Sequence, residues 1–80
     1  MIEGKKVIIY STPSCMYCQM AKDWFKKNNI VYTEYDVSVD ASKREEMMEK
    51  TGSMAVPVIE INNETIVGFD KNKISQILGM

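Results

Sequence analysis

The chain has 80 residues, 45% hydrophobic and 26% charged, with four Gly and two Pro. That is the composition of an ordinary folded protein, with room for one domain over residues 1–80 and about two layers around a modest core. Ten basic against eleven acidic residues leave a net charge of -1. No Lys/Arg run marks a nucleic-acid or anionic-membrane surface, and no apolar run approaches the ~18 residues of a membrane span. Met1–Lys6 lacks the apolar core of a secretory leader, so the expected place is the cytoplasm. There is no histidine and there are two cysteines, three residues apart. Imidazole-based hydrolysis is thereby excluded, as is a disulfide framework of the secreted kind.

Val7-Ile8-Ile9-Tyr10 is a continuous β-branched and aromatic run, which suits a strand covered on both faces. It gives way at Ser11-Thr12-Pro13-Ser14. Cys18, Ala21, Phe25 and Asn28 then fall on one helical face, with Met20 and Trp24 beside it and Lys22, Asp23, Lys26 and Lys27 on the wetter side. Lys26-Lys27 complements the negative end of the helix dipole, and Asn28-Asn29 tolerates the turn that ends a helix. Ile30–Val37 reads as a second strand, parallel to the first through a right-handed crossover.

From Asp40 the sequence is polar and helix-prone. Ser42 and Glu45 have capping-box spacing, Met47 and Met48 supply apolar contacts, and Gly52 is a stop. Val56–Ile61 and Glu64–Val67 read as an antiparallel hairpin turning at Asn62-Asn63. Asp70 caps a last helix carrying Ile74, Ile77 and Leu78, and Phe69 and Ile74 are placed as a hydrophobic staple. The expected fold is α/β, in the order β-α-β-α-β-β-α, with a four-stranded mixed sheet flanked by three helices.

The chemistry concentrates at Cys15-Met16-Tyr17-Cys18, where a strand passes into a helix. A sulfur at the start of the helix is met by unpaired backbone N–H groups and the positive dipole end, which favour thiolate over thiol. Cys18, one turn on and on the apolar face, is expected to stay a buried thiol until a mixed disulfide forms at Cys15. Attack and resolution are thus divided between two residues, and two intervening residues let the sulfurs meet without unwinding the helix. Zinc would need two further ligands, and neither histidine nor a third cysteine exists to supply them.

Over nearly its full length the chain resembles the glutaredoxin family of the thioredoxin superfamily. The resemblance is carried by Cys15-Met16-Tyr17-Cys18, Lys43-Arg44-Glu45-Glu46-Met47, Val56-Pro57 and Gly68-Phe69-Asp70. It implies a thioredoxin-like fold and a dithiol–disulfide oxidoreductase acting on protein or glutathione mixed disulfides, with Cys15 as nucleophile and Cys18 as resolving residue. It implies a cis Pro57 beside the cysteines and a substrate groove formed by Thr12, Pro13, Met16, Tyr17, Ala55, Val56, Pro57, Gly68, Phe69 and Asp70.

The departures lie in the same groove. Met16 stands where dithiol glutaredoxins commonly have proline, and Thr12 where a lysine commonly meets a glutathione carboxylate. Ala55 replaces a frequent threonine, and Val67-Gly68 a frequent Gly-Gly pair. Gly68-Phe69 also resembles small glutaredoxin-like proteins that reduce ribonucleotide reductase and are reduced by thioredoxin reductase. The expected partners are disulfide-containing proteins, with glutathione or a thioredoxin reductase as donor, and the expected state is a monomer with no tightly bound cofactor. The alternatives are a dimer holding a glutathione-ligated [2Fe–2S] cluster through Cys15, and a non-catalytic binding module.

Overall fold

The computed structural model describes residues 6–80. Met1–Lys5, most of the segment read for a secretory leader, lies outside that range. Seven elements follow one another: β1 (Val7–Ser11), α1 (Met16–Lys27), β2 (Thr33–Asp36), α2 (Ala41–Thr51), β3 (Val58–Ile61), β4 (Glu64–Val67) and α3 (Lys71–Leu78). The strands form one mixed sheet in the order β2-β1-β3-β4, with β1 parallel to β2 and antiparallel to β3, and β3 antiparallel to β4. The expected thioredoxin-like α/β architecture and element order are therefore present.

Alternation along β1 divides burial between the two faces of the sheet. Val7 and Ile9 join Ala21, Phe25, Ile59, Ile61, Ile66, Ile74 and Leu78, so α1 and α3 cover one face. Ile8 and Tyr10 join Val37, Met47 and Val58 beneath α2 on the other. The apolar residues thus form two clusters separated by the sheet, in place of the single core expected from length. Burying both faces explains why β1 is an unbroken apolar run.

Local chemistry sets the boundaries. Asn62 (φ 48°) and Asn63 (φ 76°) both adopt the left-handed conformation of a two-residue hairpin turn, which asparagine tolerates. Gly52 ends α2 at φ 69°, its N–H donating to the Met48 carbonyl. The strand expected over Ile30–Val37 is confined to Thr33–Asp36. Ile30 still belongs to the end of α1, its N–H donating to the Phe25 carbonyl at 2.8 Å, and pairing with β1 starts only at Ile8↔Thr33.

Three other expectations are corrected. The cap of α2 is Asp40, whose carboxylate accepts the Lys43 N–H at 3.1 Å, in place of a Ser42 capping box. β3 begins at Val58, two residues after the expected start, and Pro57 before it has no N–H to give to the ladder. Met20 and Met48 are exposed, whereas Lys22, placed on the wetter side of α1, has a side chain only 12% exposed.

Candidate active site

The strand register gathers the site. Tyr10 lies opposite Val58 and Val58 opposite Val67, so the end of β1, the start of β3 and the end of β4 share one edge of the sheet. The segments continuing beyond that edge are Ser11–Cys15, Val56-Pro57 and Gly68–Asp70, separated by more than 50 residues in sequence at the extremes. They hold Cys15 and the expected groove residues Thr12, Pro13, Val56, Pro57, Gly68, Phe69 and Asp70; Met16, Tyr17 and Cys18 follow on the first turn of α1, and Ala55 precedes Val56.

Cys15 is the N-cap of α1, with extended backbone angles (φ -86°, ψ 111°). Its N–H donates to the Thr12 carbonyl at 3.2 Å, which closes the Thr12–Cys15 turn. Its sulfur accepts the backbone N–H of Cys18, also at 3.2 Å, in the place where Ser, Thr, Asp or Asn normally provides oxygen. Both thiols are free; Cys15 is half-buried and Cys18 fully buried. Burial pushes the Cys18 thiol up to about 12, reinforced by its hydrogen bond to the Cys15 sulfur, while a backbone hydrogen bond from Thr12 and the charge of Lys22 pull the other way. One sulfur is thus reachable and held at a helix start, and the other is kept protonated behind it.

The surrounding residues divide by exposure. Met16 and Tyr17, which follow Cys15 on the first turn of α1, are 76% and 64% exposed. Pro13 and Ala55 are exposed, and Thr12 and Val56 half-buried. Pro57 is cis and fully buried, and its carbonyl accepts the Gly68 N–H at 2.8 Å, which binds the second and third segments of the edge together. Gly68 has φ 94°, a conformation open to glycine at low cost. Phe69 packs edge-on against Trp24 of α1 with ring centroids 6.0 Å apart. Asp70 is exposed and caps α3 by accepting the Lys73 N–H at 3.1 Å.

Two polar clusters were not foreseen. On the α1 side, Ser11 Oγ and Lys22 Nζ both donate to Glu34 Oε2, at 2.8 and 2.7 Å. On the α2 side, Tyr10 Oη donates to Glu46 Oε1 at 2.9 Å, and Lys50 Nζ donates to Tyr10 Oη at 3.0 Å and to Glu46 Oε1 at 3.1 Å. Lys50 also pairs with Glu60 at 3.0 Å. The i,i+4 spacing of Glu46 and Lys50 and the i,i+3 spacing of Lys43 and Glu46, paired at 3.1 Å, were the local signals, and the remaining partners meet through the sheet. No group of three or more His, Cys, Asp or Glu side chains able to hold a metal occurs among the described residues. No helix among them is long and apolar enough to cross a membrane.

A thioredoxin-like sheet with a close, unequal cysteine pair at the first helix defines a thiol–disulfide oxidoreductase. The glutaredoxin family profile matches residues 7–66. The chain is 40% identical over 70 residues to the glutaredoxin-like 8.6 kDa protein in rubredoxin operon of Clostridium pasteurianum, spanning 88% of this chain and 93% of that one. It is 36% identical over 64 residues to glutaredoxin 3 of Escherichia coli strain K12, spanning 80% and 77% of the two chains. Among solved structures, the thioredoxin-like protein BC3987 superposes with a TM-score of 0.83 at 33% identity, covering 90% of this chain and 99% of that one. The chain belongs to the glutaredoxin family.

Proposed function

We propose that the protein reduces disulfides of proteins and of glutathione adducts, with Cys15 attacking and Cys18 resolving. The observation that carries this reading is the inequality of the pair: Cys15 is half-buried at the helix start, and Cys18 is buried and held as a thiol. In the first step the Cys15 thiolate attacks one sulfur of the substrate disulfide, a Cys15–sulfur bond forms, and the other substrate sulfur departs as a thiolate that takes up a proton. In the second, the Cys18 sulfur attacks Cys15, the Cys15–Cys18 disulfide forms, and the remaining substrate sulfur leaves as a thiol. Two electrons pass to the substrate, and a donor returns them by reducing the pair.

The groove reading assigns Thr12, Pro13, Met16, Tyr17 and Ala55 to its walls and the backbone of Val56 to pairing with an extended substrate. Pro57, lacking an N–H, leaves that backbone without a competitor. Gly68, Phe69 and Asp70 close the far side, with Asp70 facing the amino end of glutathione. A neutral Thr12 weakens the hold on a glutathione carboxylate, so a thioredoxin reductase is the competing donor. A thiol-maintaining cytoplasm is the compartment in which this cycle runs.

Steady-state turnover on one disulfide substrate, with glutathione plus its reductase and separately with thioredoxin reductase, tests the activity and identifies the donor. Wild type turns over with at least one donor and Cys15→Ser with neither. Equal disulfide reduction by Cys15→Ser would reject Cys15 as the nucleophile, and no turnover by wild type with either donor, with partner binding that survives Cys15→Ser, would reject the oxidoreductase reading in favour of a binding module.

A further inference from the structure

Behind the cysteine pair lies a polar cluster that the two-step exchange leaves without a role. Ser11, at 1% exposure, is the last residue of β1, and its hydroxyl donates to Glu34 Oε2. Lys22 donates to the same oxygen at 2.7 Å, with its side chain 12% exposed. Lys22 follows Cys18 by four residues on α1, so the two side chains lie one above the other on the same face. A half-buried ammonium is thereby held in one place, one helical turn from the buried thiol.

We propose that Lys22, held by Glu34 and Ser11, is a positioning residue for resolution: its fixed ammonium stabilises negative charge on the Cys18 sulfur as that sulfur attacks the mixed disulfide at Cys15. This rests on the reading of Cys18 as the resolving residue.

The electrostatics support the assignment through a change that the first step brings about. In the reduced protein the Cys15 sulfur opposes ionisation of Cys18 by its hydrogen bond and its charge, whereas Thr12 and Lys22 favour it. Once Cys15 is in a mixed disulfide its charge is gone, and the contributions of Thr12 and Lys22 remain. The environment of Cys18 therefore moves toward thiolate at the step that needs one. The proton released from Cys18 ends on the departing substrate thiolate, so Lys22 keeps its own proton, consistent with the upward shift imposed on it by Glu34. The charged and titratable groups around the cluster are Cys15 and Cys18 on α1, Tyr32 and Glu34 on the β2 side, and Asp36 beyond Glu34.

The two steps separate in a single-turnover reaction of the full reduced protein with excess 2,2′-dithiodipyridine, an uncharged chromogenic disulfide. The first equivalent of pyridinethione reports attack by Cys15 and the second reports resolution by Cys18. Removing a neighbouring positive charge shifts a thiol by about one pH unit; after the compensating gain in nucleophilicity this slows attack about threefold.

Lys22→Met is expected to slow the second phase about threefold at neutral pH, to move its pH midpoint up by about one unit, and to leave the first phase within about twofold. Lys22→Arg should restore the second phase. Glu34→Gln, which keeps a side-chain oxygen to accept from Lys22 Nζ and removes the opposing negative charge, should resolve at least as fast as wild type. If Lys22→Met does not fold, Lys22→Gln carries the same expectation. An unchanged second phase on loss of the Lys22 charge would overturn the proposal. So would equal slowing by Lys22→Met and Glu34→Gln, which marks a simple tether between α1 and β2. Absence of a second phase in wild type would instead overturn the resolving role of Cys18.

Discussion

The backbone N–H of Cys18 donates to the sulfur of Cys15 at 3.2 Å, so Cys15 caps α1 with its sulfur while the Cys18 thiol is buried beside it. A helix cap ordinarily satisfies an orphan N–H for the sake of the helix. Here the same bond orients a sulfur. Two residues of one turn therefore sit in different environments although their side chains are identical.

Asp70 has a structural duty as the cap of α3 and a proposed duty toward glutathione, and two substitutions separate them. Asp70→Ala should cost about 1 kcal/mol and lower the melting temperature by roughly 4–8 °C. Asp70→Asn retains a capping oxygen and should melt near wild type. If Asp70 meets the glutathione amino group, both variants raise the apparent KM for glutathione. A KM unchanged in Asp70→Asn would leave the residue a cap alone.

Position 12 tests donor choice. Thr12 uses its backbone to accept the Cys15 N–H, so its side chain is free to change without disturbing that turn. Thr12→Lys should lower the apparent KM for glutathione by up to about fivefold, the worth of a partly exposed ion pair of ~1 kcal/mol, without improving turnover with thioredoxin reductase. Steady-state kinetics with both donors checks this. No gain with glutathione in a folded variant would remove position 12 from recognition.

Acid stability should depend on the α2 cluster. Hydrogen bonds from Lys50, then from Lys43 and Tyr10, hold Glu46 at about 2, below its ordinary 4.5. A carboxylate depressed in the folded state contributes stability above its unfolded value and loses it as pH falls through the folded one. Wild type should therefore lose stability between pH 4.5 and 2, and Glu46→Gln should show a shallower slope over that interval. The variant should also be less stable near pH 7, because Lys50 and Tyr10 each lose a partner. Denaturant midpoints across the range measure both effects; parallel acid limbs would show that Glu46 is not responsible.

Much of this architecture was legible because its signals are local. The unbroken Val7–Tyr10 run required two covered faces, Asn62-Asn63 required a turn that asparagine tolerates, and Gly52 required a left-handed stop. The cysteine spacing placed both thiols on the first turn of one helix. What escaped depends on register. Lys22 was placed on the wetter side because its partner Glu34 becomes its neighbour only when β2 pairs with β1. Asp40 prevailed over Ser42 as a cap because the turn after β2 brings the Asp40 N–H to the Asp36 carbonyl at 3.0 Å and starts the helix one residue after Asp40. Tyr10, Glu46 and Glu60 meet Lys50 across the sheet face, beyond the reach of helical periodicity.

The division of labour between the cysteines is tested most directly by trapping. Reduced wild type, Cys15→Ser and Cys18→Ser are each mixed with a disulfide substrate at neutral pH, quenched with acid and weighed intact by mass spectrometry. Cys18→Ser should accumulate a one-to-one adduct on Cys15, because attack proceeds and resolution cannot. Wild type should pass to the internal Cys15–Cys18 disulfide, and Cys15→Ser should remain largely unmodified, its Cys18 buried and protonated. An adduct that accumulates on Cys18 in the Cys15→Ser protein, with none on Cys15 in the Cys18→Ser protein, would contradict the account.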